Sequence, residues 1–447
     1  MKDHRMGLFS GMGMVIANMI GAGVFLSTGY MAQDLTPQQI LLAWAIGAFL
    51  ALSGARAYAA IAQLVPKSGG EYRYLSTLIH PALGYLAGWA SLLLGFSAPI
   101  AIDAVAAGAF AKTLSPSLDP KLFGALVIVL LTAVHAVGLR FSVTTQNLLV
   151  TIKIVLVVGF VAVGIAGGQN SWPQWQPPSQ SEGFPLGPFM QNLFYIAFAF
   201  SGWNAAVYAA SEFKDPKRHV PRAMLLGCAM VGLLYLFVNW VFVANLTPEQ
   251  CKVVFTYETA RVTLGHLIMK DLVGDVGAAC MSVLAIIAFV SAMSAMTFLG
   301  PRVYAAMSRD GFLPRILQGK QGKPPVWAVV LQGGIALFLV FAYQLQTILN
   351  NVGAILTLFS ALTVFSLFWI RFRRKEFGTP AFSALIAALC YLLLSGVMLY
   401  FGFKQSATLN LWVGASILTA LIGYFITKRR IDLRNGRIAA QSGNYGS

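Results

Sequence analysis

The sequence predicts an all-α integral membrane protein with twelve transmembrane helices. Of its 447 residues, 57% are hydrophobic and only 10% are charged, whereas about 25% of the residues of a typical soluble domain are charged. The mean hydropathy is +0.72. Because so few charges cannot cover soluble domains of this length, a soluble enzyme, a nucleic-acid-binding protein and a disordered scaffold are excluded. The sequence also lacks the alternating segments of about ten residues that are typical of membrane β-barrels.

Apolar segments long enough to cross a bilayer, about 20 residues each, recur along the whole chain. The first follows residues 1–5 and is too long for a signal peptide, so it counts as the first span. The uncharged run 324–370 is long enough for two helices with a turn near residues 344–351. The twelve predicted helices are centred near residues 18, 52, 97, 130, 155, 200, 233, 289, 335, 359, 392 and 417.

The net charge of +16 indicates the orientation of the chain rather than a surface for nucleic acid. With both termini in the cytoplasm, twenty-three of the 31 lysines and arginines fall on the cytoplasmic side and six on the external side. This bias is the one that the positive-inside rule gives for an even number of spans. We therefore expect a multi-pass protein of the cell membrane, with cytoplasmic N- and C-termini and with the lipid bilayer as its surroundings.

The sequence indicates no cofactor and no metal. It contains no HExxH or CxxC motif, and its paired glycines do not extend to GxGxxG. Of the four cysteines, only Cys251 falls in a predicted external loop, so no external disulfide pair is available. His135 is the only histidine near a span centre and has no catalytic companions in the sequence, which disfavours a membrane-embedded enzyme. No pore-lining ring of charge indicates a channel.

Two predicted spans carry glycines at mid-membrane, where a helix can be interrupted. They are Gly21 and Gly23 in the first span and Gly202 in the sixth. Taken singly, each is equally well explained by close helix packing. The first and sixth spans occupy matching positions, however, if the first ten helices form two halves of five, and paired interruptions favour an inverted-repeat transporter. Freed N–H groups would bind a carboxylate and freed carbonyls an ammonium, so the predicted ligand is a zwitterion such as an amino acid.

Several short motifs accompany these glycines in order along the chain. They are Gly21-Ala-Gly23 followed by Val-Phe, PKSGGEY at 66–72, Gly202-Trp-Asn204, EFKDPKR at 212–218, PRA at 221–223, PRVY at 301–304 and RDG at 309–311. Together they resemble the amino acid permeases of the amino acid–polyamine–organocation (APC) superfamily, close to the L-amino acid transporter branch. The resemblance covers spans one to ten, and two further helices follow.

The resemblance implies a single transporter domain, residues 1–447, built as a five-plus-five inverted repeat in which spans one and six unwind at the substrate. The implied parts are 6–168 and 184–374 for the two repeats, 377–430 for helices 11 and 12, and 431–447 for a cytoplasmic tail. Access to the site would alternate between the two sides of the membrane. Animal members join an accessory glycoprotein through a cysteine between spans three and four. The segment 115–120 has none, so no disulfide-linked accessory subunit is expected.

The resemblance also assigns a substrate site. The first-span loop would contact the substrate carboxylate, the carbonyls of Phe198 and Ser201 would accept from its ammonium, and the ring of Phe198 would act as an outer gate. Further residues would line the cavity from spans three, six, eight and ten. The implied substrate-binding residues are Ile20, Gly21, Ala22, Gly23, Phe198, Ser201, Gly202, Trp203, Asn204, Gly95, Met296 and Ser360.

Three charged residues, Arg56, Asp103 and Lys153, fall well within predicted spans. A charge at the bilayer centre costs at least about 2.5–3.5 kcal/mol, so each is a functional candidate. Arg56 could reach the cytoplasmic boundary or pair with Glu212. Asp103 could contact a cationic substrate group or a proton, or it could have a structural partner. Some relatives carry an acidic residue in place of Ser201 or Asn204, and the neutral residues here favour a neutral substrate.

Lys153 lies thirteen residues beyond Arg140, about 20 Å along a helix, which is too far for its side chain to reach the cytoplasmic boundary. Several family members carry a lysine here, where sodium-coupled relatives bind Na⁺ between spans one and eight. Its ammonium would bond carbonyls near Gly21 and a hydroxyl such as that of Ser291 or Ser294. The sequence thus predicts a sodium-independent transporter of small or medium neutral L-amino acids, as a proton symporter or an exchanger. The alternative is a transporter of cationic amino acids or polyamines.

Overall fold

The computed structural model describes residues 6–137, 143–169, 171–178, 183–319, 325–342 and 344–443. Over these residues the chain is helical apart from its turns and loops, and its one β feature is an isolated bridge between Met6 and Phe213. Within these described ranges, ten helical segments are long and apolar enough to cross a membrane. The prediction of an all-α, multi-pass membrane protein is therefore confirmed.

The first ten helices of the described chain include two that end in the middle of the bundle, at Met19 and at Ala199. In chain order they are α1 (Leu8–Met19), α2 (Ala22–Met31), α3 (Pro37–Leu64), α4 (Gly70–Leu78), α5 (Pro81–Ala90), α6 (Ser97–Leu114), α7 (Pro120–Val137), α8 (Val143–Gly167), α9 (Leu186–Ala199) and α10 (Ala205–Tyr208). A single π-helical turn, Ser91–Phe96, joins α5 to α6 as one continuous rod.

The remaining nine helices of the described chain are six long ones and three short ones, α12 to α14, which lie in the connection between α11 and α15. The helices are α11 (Pro216–Ala244), α12 (Pro248–Thr256), α13 (Glu258–Val262), α14 (Leu264–Val273), α15 (Asp275–Arg309), α16 (Val326–Ala342), α17 (Leu345–Arg373), α18 (Phe382–Gln405) and α19 (Ala407–Gly443). Short 3₁₀ turns lie at Ala210–Glu212, Arg315–Gln318 and Lys375–Phe377.

Ten of the twelve predicted span centres fall within the ten long apolar segments. The predicted centre near residue 335 falls in α16, which has 17 residues. The predicted centre near residue 200 falls between α9, which has 14 residues, and α10, which has four. Both of these segments are therefore shorter than an ordinary membrane-crossing helix.

Local sequence explains where several of these helices begin. In α3, the Thr36 side chain accepts from the Gln39 backbone, and the Gln39 side chain accepts in return from the Thr36 backbone. The same Thr-Pro-x-Gln pattern at Thr247 starts α12. Each is a capping box, with proline at the first helical position, where no backbone N–H is needed.

Ion pairs join the ends of helices on the side where α3 and α15 end. Arg302 pairs with Glu212 at 2.6 Å, and Arg73 pairs with Asp310 at 3.1 Å. Tyr72 also donates to Asp310 at 2.5 Å, and burial together with this bond raises the pKa of Tyr72. Of the two options for Arg56, a pairing with Glu212 is not the one in the structure, where Arg302 pairs with that carboxylate. Arg56 instead donates to the Ser383 hydroxyl at 2.7 Å.

Candidate functional site

The first apolar segment is interrupted in the middle of the bundle. Helix α1 ends at Met19 and α2 begins at Ala22, so Ile20 and Gly21 lie between them. A second interruption, residues 200–204, separates α9 from α10. Each leaves backbone groups that have no partner within a helix, and inside a membrane such groups must be satisfied by other parts of the protein.

The two interruptions pack directly against each other at Gly202. This residue has a φ of +101°, a conformation that residues with a side chain rarely adopt. A Cβ atom there would lie 2.8 Å from the backbone carbonyl carbon and oxygen of Asn18. Only glycine fits this position without displacing α1.

Tyr235 of α11 ties the two interrupted helices together. Its hydroxyl lies 2.5 Å from the Met19 carbonyl oxygen, at the end of α1, and 3.1 Å from the Ala199 carbonyl oxygen, at the end of α9. Tyr235 is buried. Nothing in the local sequence around Tyr235 indicates this role, because the two carbonyls lie 216 and 36 residues away from it in the chain.

Two opposite charges lie at the two ends of the first interruption. Lys153 of α8 donates to the carbonyl oxygens of Ile20 at 2.7 Å and Ala17 at 3.3 Å. Asp103 of α6 accepts from the Ala22 N–H at 2.6 Å. Both side chains are 1% exposed. A cation at the carboxyl end of α1 and an anion at the amino end of α2 are each placed where the helix dipole stabilises them.

The serines of α15 do not share Lys153 in this arrangement. The Ser294 hydroxyl lies 3.0 Å from Nε2 of His135, and the buried Ser291 hydroxyl has no hydrogen-bond partner. The structure therefore differs from the expectation that one of these serines would bond Lys153. The reason is that the lysine ammonium is drawn to the carbonyls at the end of α1, while His135 of α7 engages Ser294.

A cavity of about 70 Å³ lies beside the second interruption, between α1, α3, α5, α15, α17 and α18. Seven of the residues predicted to bind substrate line this cavity: Gly95, Ser201, Gly202, Trp203, Asn204, Met296 and Ser360. The remaining predicted residues do not line it: Ile20, Gly21, Ala22, Gly23 and Phe198.

Packing explains why the first-span loop lies outside the cavity. A Cβ atom on Gly23 would lie 2.4 Å from Cα of Ala199, so α2 is in backbone contact with the end of α9. A Cβ atom on Gly21 would lie 3.0 Å from Oδ1 of Asp103. Phe198 is buried in the last turn of α9, and its carbonyl accepts from the Ser201 N–H at 2.9 Å. Phe200, two residues later, is the phenylalanine of this segment that lines the cavity.

Sequence reasoning missed the carboxylate of Glu71, which also lines the cavity. Its Oε1 accepts from the Tyr58 hydroxyl at 2.9 Å and from Nδ2 of Asn204 at 2.6 Å. Its Oε2 accepts from the Tyr208 hydroxyl at 2.6 Å. Glu71 is 5% exposed, so these three donors replace the water that a carboxylate would otherwise bind. The available signal was the PKSGGEY motif, in which the glutamate follows two glycines.

Residues 6–426 match the family model of the amino acid permeases, and the chain therefore belongs to the amino acid permease family of the APC superfamily. It is similar to the human large neutral amino acids transporter small subunit 2, with 26% identity over 440 residues, which cover 94% of this chain and 80% of the relative. It is also similar to the mouse b(0,+)-type amino acid transporter 1, with 25% identity over 437 residues, which cover 95% of this chain and 88% of the relative. The mouse Asc-type amino acid transporter 1 is 24% identical over 438 residues, which cover 94% of this chain and 79% of the relative. The predicted family, and the prediction of a transporter rather than an enzyme, are confirmed.

We predict that Gly202→Ala lowers the melting temperature and reduces amino acid uptake at least tenfold. The methyl group meets the Asn18 backbone and the positive φ adds strain on the order of 1–2 kcal/mol. Gly334→Ala is the matched control, because that helical glycine has nothing within 4 Å of its Cβ position. Thermal unfolding of the purified protein and uptake into proteoliposomes measure both effects. Unchanged uptake by Gly202→Ala would contradict the packing of the two interruptions.

We predict that Glu71→Gln destabilises the protein by about 1–3 kcal/mol, because an amide NH₂ in place of one oxygen faces hydroxyl and amide donors. The exposed Glu249→Gln serves as the control and is expected to unfold at the parent temperature. Tyr208→Phe removes a single donor and is expected to have a smaller effect. Equal melting temperatures for Glu71→Gln and the parent would show that the three bonds contribute nothing to stability.

Proposed function

We propose that this permease is a sodium-independent secondary transporter of small or medium neutral L-amino acids that works by alternating access. Family membership supports amino acid transport. The observation that supports sodium independence is the ammonium of Lys153 on the carbonyls of Ala17 and Ile20. A fixed cation there supplies the positive charge that freed carbonyls at a helix end attract.

The proposed architecture has twelve spans, with α9 and α10 forming the sixth and α16 the ninth. Two inverted repeats, residues 6–168 and 184–374, are followed by α18 and the first part of α19 within 377–430. The proposed cytoplasmic tail is 431–447, into which α19 continues as far as Gly443. The interruptions in the first and sixth spans, at matching positions, support this division. We further propose that the protein resides in the cell membrane with both termini in the cytoplasm, because of the lysine and arginine bias.

The volume of the central cavity supports a small substrate in the conformation described. About 70 Å³ corresponds to about two water molecules at ~30 Å³ each, so the cavity as described is suited to a small ligand. Larger neutral side chains would need movement of the cavity wall, for example of Phe200 or Tyr391, which both line it. Such movement is part of alternating access.

The charge of the cavity supports a neutral side chain on the substrate. Among the described lining residues, Glu71 carries the one carboxylate, and donors already occupy both of its oxygens. Ser201 and Asn204 are neutral. The alternative substrate, a cationic amino acid or a polyamine, depends on Asp103, whose Oδ2 is buried without a hydrogen-bond partner.

The substrate carboxylate is proposed to reach the amino end of α2, at Ile20, Gly21, Ala22 and Gly23, when this end opens onto the cavity. The substrate ammonium is proposed to meet the carbonyls of Phe198 and Ser201. In the conformation described, Asp103 occupies the Ala22 N–H. A substrate carboxylate would therefore share this helix end with Asp103 or displace it, and like charges at close range favour displacement or protonation.

Asp103 and Lys153 provide a route for coupling by proton symport or by exchange. Lys153 holds the end of α1 and Asp103 holds the start of α2, one on each side of the interruption. A change in the proton bound to either group would alter both helix ends, and through them the packing of α2 on α9. No disulfide-linked accessory subunit is proposed, because the loop before α7 carries no cysteine at 115–120.

We predict that uptake by purified protein in proteoliposomes persists when choline replaces sodium, and that Lys153→Ala reduces it at least tenfold. Loss of the ammonium leaves two carbonyls without a donor inside the membrane, where an unpaired polar group is costly. Lys252→Ala, on an exposed lysine of α12, is the control and keeps parental uptake. Strict sodium dependence of the parent, or full activity of Lys153→Ala, would remove this lysine from the mechanism.

We predict that a panel of labelled amino acids and diamines shows preference for small or medium neutral L-amino acids, in the parent and in Asp103→Asn. The asparagine keeps an acceptor for the Ala22 N–H but removes the charge. We also expect the dependence of uptake on external pH to be flatter in Asp103→Asn, since one titrating group is lost. Preference for arginine or putrescine that disappears in Asp103→Asn would overturn the neutral assignment.

A further inference from the structure

One part of the central cavity wall is made of two aromatic rings and one apolar face of α3. Trp203 of the second interruption and Tyr391 of α18 both line the cavity, and so do Leu50 and Ala51 of α3. We call these four residues the apolar wall. Residues three and four apart lie on the same face of a helix, so Gly54 continues the face of α3 that Leu50 and Ala51 present to the cavity.

The two rings of the apolar wall lie close to α3 because Gly54 has no side chain. A Cβ atom on Gly54 would lie 2.8 Å from Cε2 of Tyr391 and 3.0 Å from Cζ2 of Trp203. The two rings meet edge to face, with centroids 6.4 Å apart and an angle of 65° between their planes, which is a favourable arrangement for aromatic pairs. The Tyr391 ring therefore packs directly against both α3 and Trp203.

Tyr391 belongs to a helix that follows the two proposed repeats. Among the described residues that line the cavity, it is the one from α18. Its side chain is 4% exposed, so the ring is part of the packed wall and not of the lipid-facing surface. The hydrogen bonds that hold the two interruptions come from Lys153, Asp103 and Tyr235. A change of the Tyr391 side chain leaves those bonds in place.

Phe200 also lines the cavity, but it is tied to the interruptions themselves. Its ring packs on Trp44 and on Tyr235, with centroid distances of 6.1 and 5.1 Å. Tyr235 in turn bonds the carbonyl ends of α1 and α9. A smaller residue at Phe200 would loosen this cluster, so Tyr391 is the large ring at which the size of the cavity can change while the interruptions stay as they are.

The apolar wall suits the apolar part of a neutral amino acid. The proposed function assigns the carboxylate and the ammonium of the substrate to backbone groups at the two interruptions. Other parts of the lining carry polar side chains, among them those of Asn18, Ser91 and Asn204. An apolar side chain gains most from contact with an apolar surface, since both are then removed from water. The side chain of the substrate is therefore expected to face the apolar wall.

We propose that Tyr391 is a specificity-determining residue whose ring sets the upper limit on the size of the side chain that the central cavity accepts. The proposal rests on the proposed function, because it takes a neutral amino acid as the substrate. A smaller residue at position 391 extends the cavity toward α18 and admits larger side chains. In apolar pockets, a difference of one methylene changes the preference between two substrates by about 10- to 200-fold.

The test compares the kinetics of L-alanine and L-phenylalanine uptake by the purified protein in proteoliposomes. Tyr391→Ala is expected to raise the ratio of kcat/KM for phenylalanine to that for alanine at least about tenfold, chiefly through a lower KM for phenylalanine. Tyr391→Phe keeps the ring and is expected to keep the parental ratio. Tyr400→Ala is the matched control, because this tyrosine of the same helix is 59% exposed. It is expected to leave both KM values unchanged.

Two further variants test the size of the side chain directly. Tyr391→Leu keeps an apolar side chain without the ring, so it serves if the alanine variant does not fold, and its ratio is expected to rise. Tyr391→Trp is expected to lower the ratio. An unchanged ratio in the folded smaller variants, or an equal loss of uptake for both substrates, would overturn the role of Tyr391 and leave the transport proposal standing. Failure of the parent to take up any neutral amino acid would overturn the transport proposal itself.

Discussion

The interruption of the first apolar segment, between Met19 and Ala22, is the constraint on which the rest of this structure depends. Backbone groups freed at membrane depth must find partners in the protein, and two charged side chains provide them: Lys153 for the end of α1 and Asp103 for the start of α2. The dependence is mutual. A buried charge in a membrane is costly, and the helix ends supply the hydrogen bonds and the dipole that make it tolerable.

The second interruption is shaped by the first. Gly202 has no room for a Cβ atom because the Asn18 backbone lies against it, and Gly23 has none because α9 lies against it. Tyr235 then bridges the carbonyl ends of α1 and α9. Since the two glycine contacts involve backbone atoms of the facing helix, a movement of either interruption would displace the other, as the proposed alternating-access mechanism requires.

The central cavity is bordered by different kinds of contact on its different sides. Helices α9 and α17 both border the central cavity, and a Cβ atom on Gly353 of α17 would lie 2.1 Å from the Phe194 carbonyl oxygen of α9. Elsewhere in the wall, Glu71 of α4 accepts hydrogen bonds from Tyr58 of α3, from Asn204 of the second interruption and from Tyr208 of α10. The cavity is therefore bordered by close backbone packing on one side and by a polar network on the other.

Sequence alone determined the membrane class, the apolar segments and the family, because composition, hydropathy and motif order can be read without knowledge of packing. It also singled out Asp103 and Lys153 but not Glu71. It also placed Lys153 too deep to reach the boundary. Only the tertiary structure decided which atoms meet: Asp103 with an amide 81 residues away, Ser294 with His135 rather than Lys153, Arg56 with Ser383 rather than Glu212, and Glu71 in the cavity. Those contacts depend on the rotation of each helix about its axis and on which helices become neighbours, and hydropathy encodes neither.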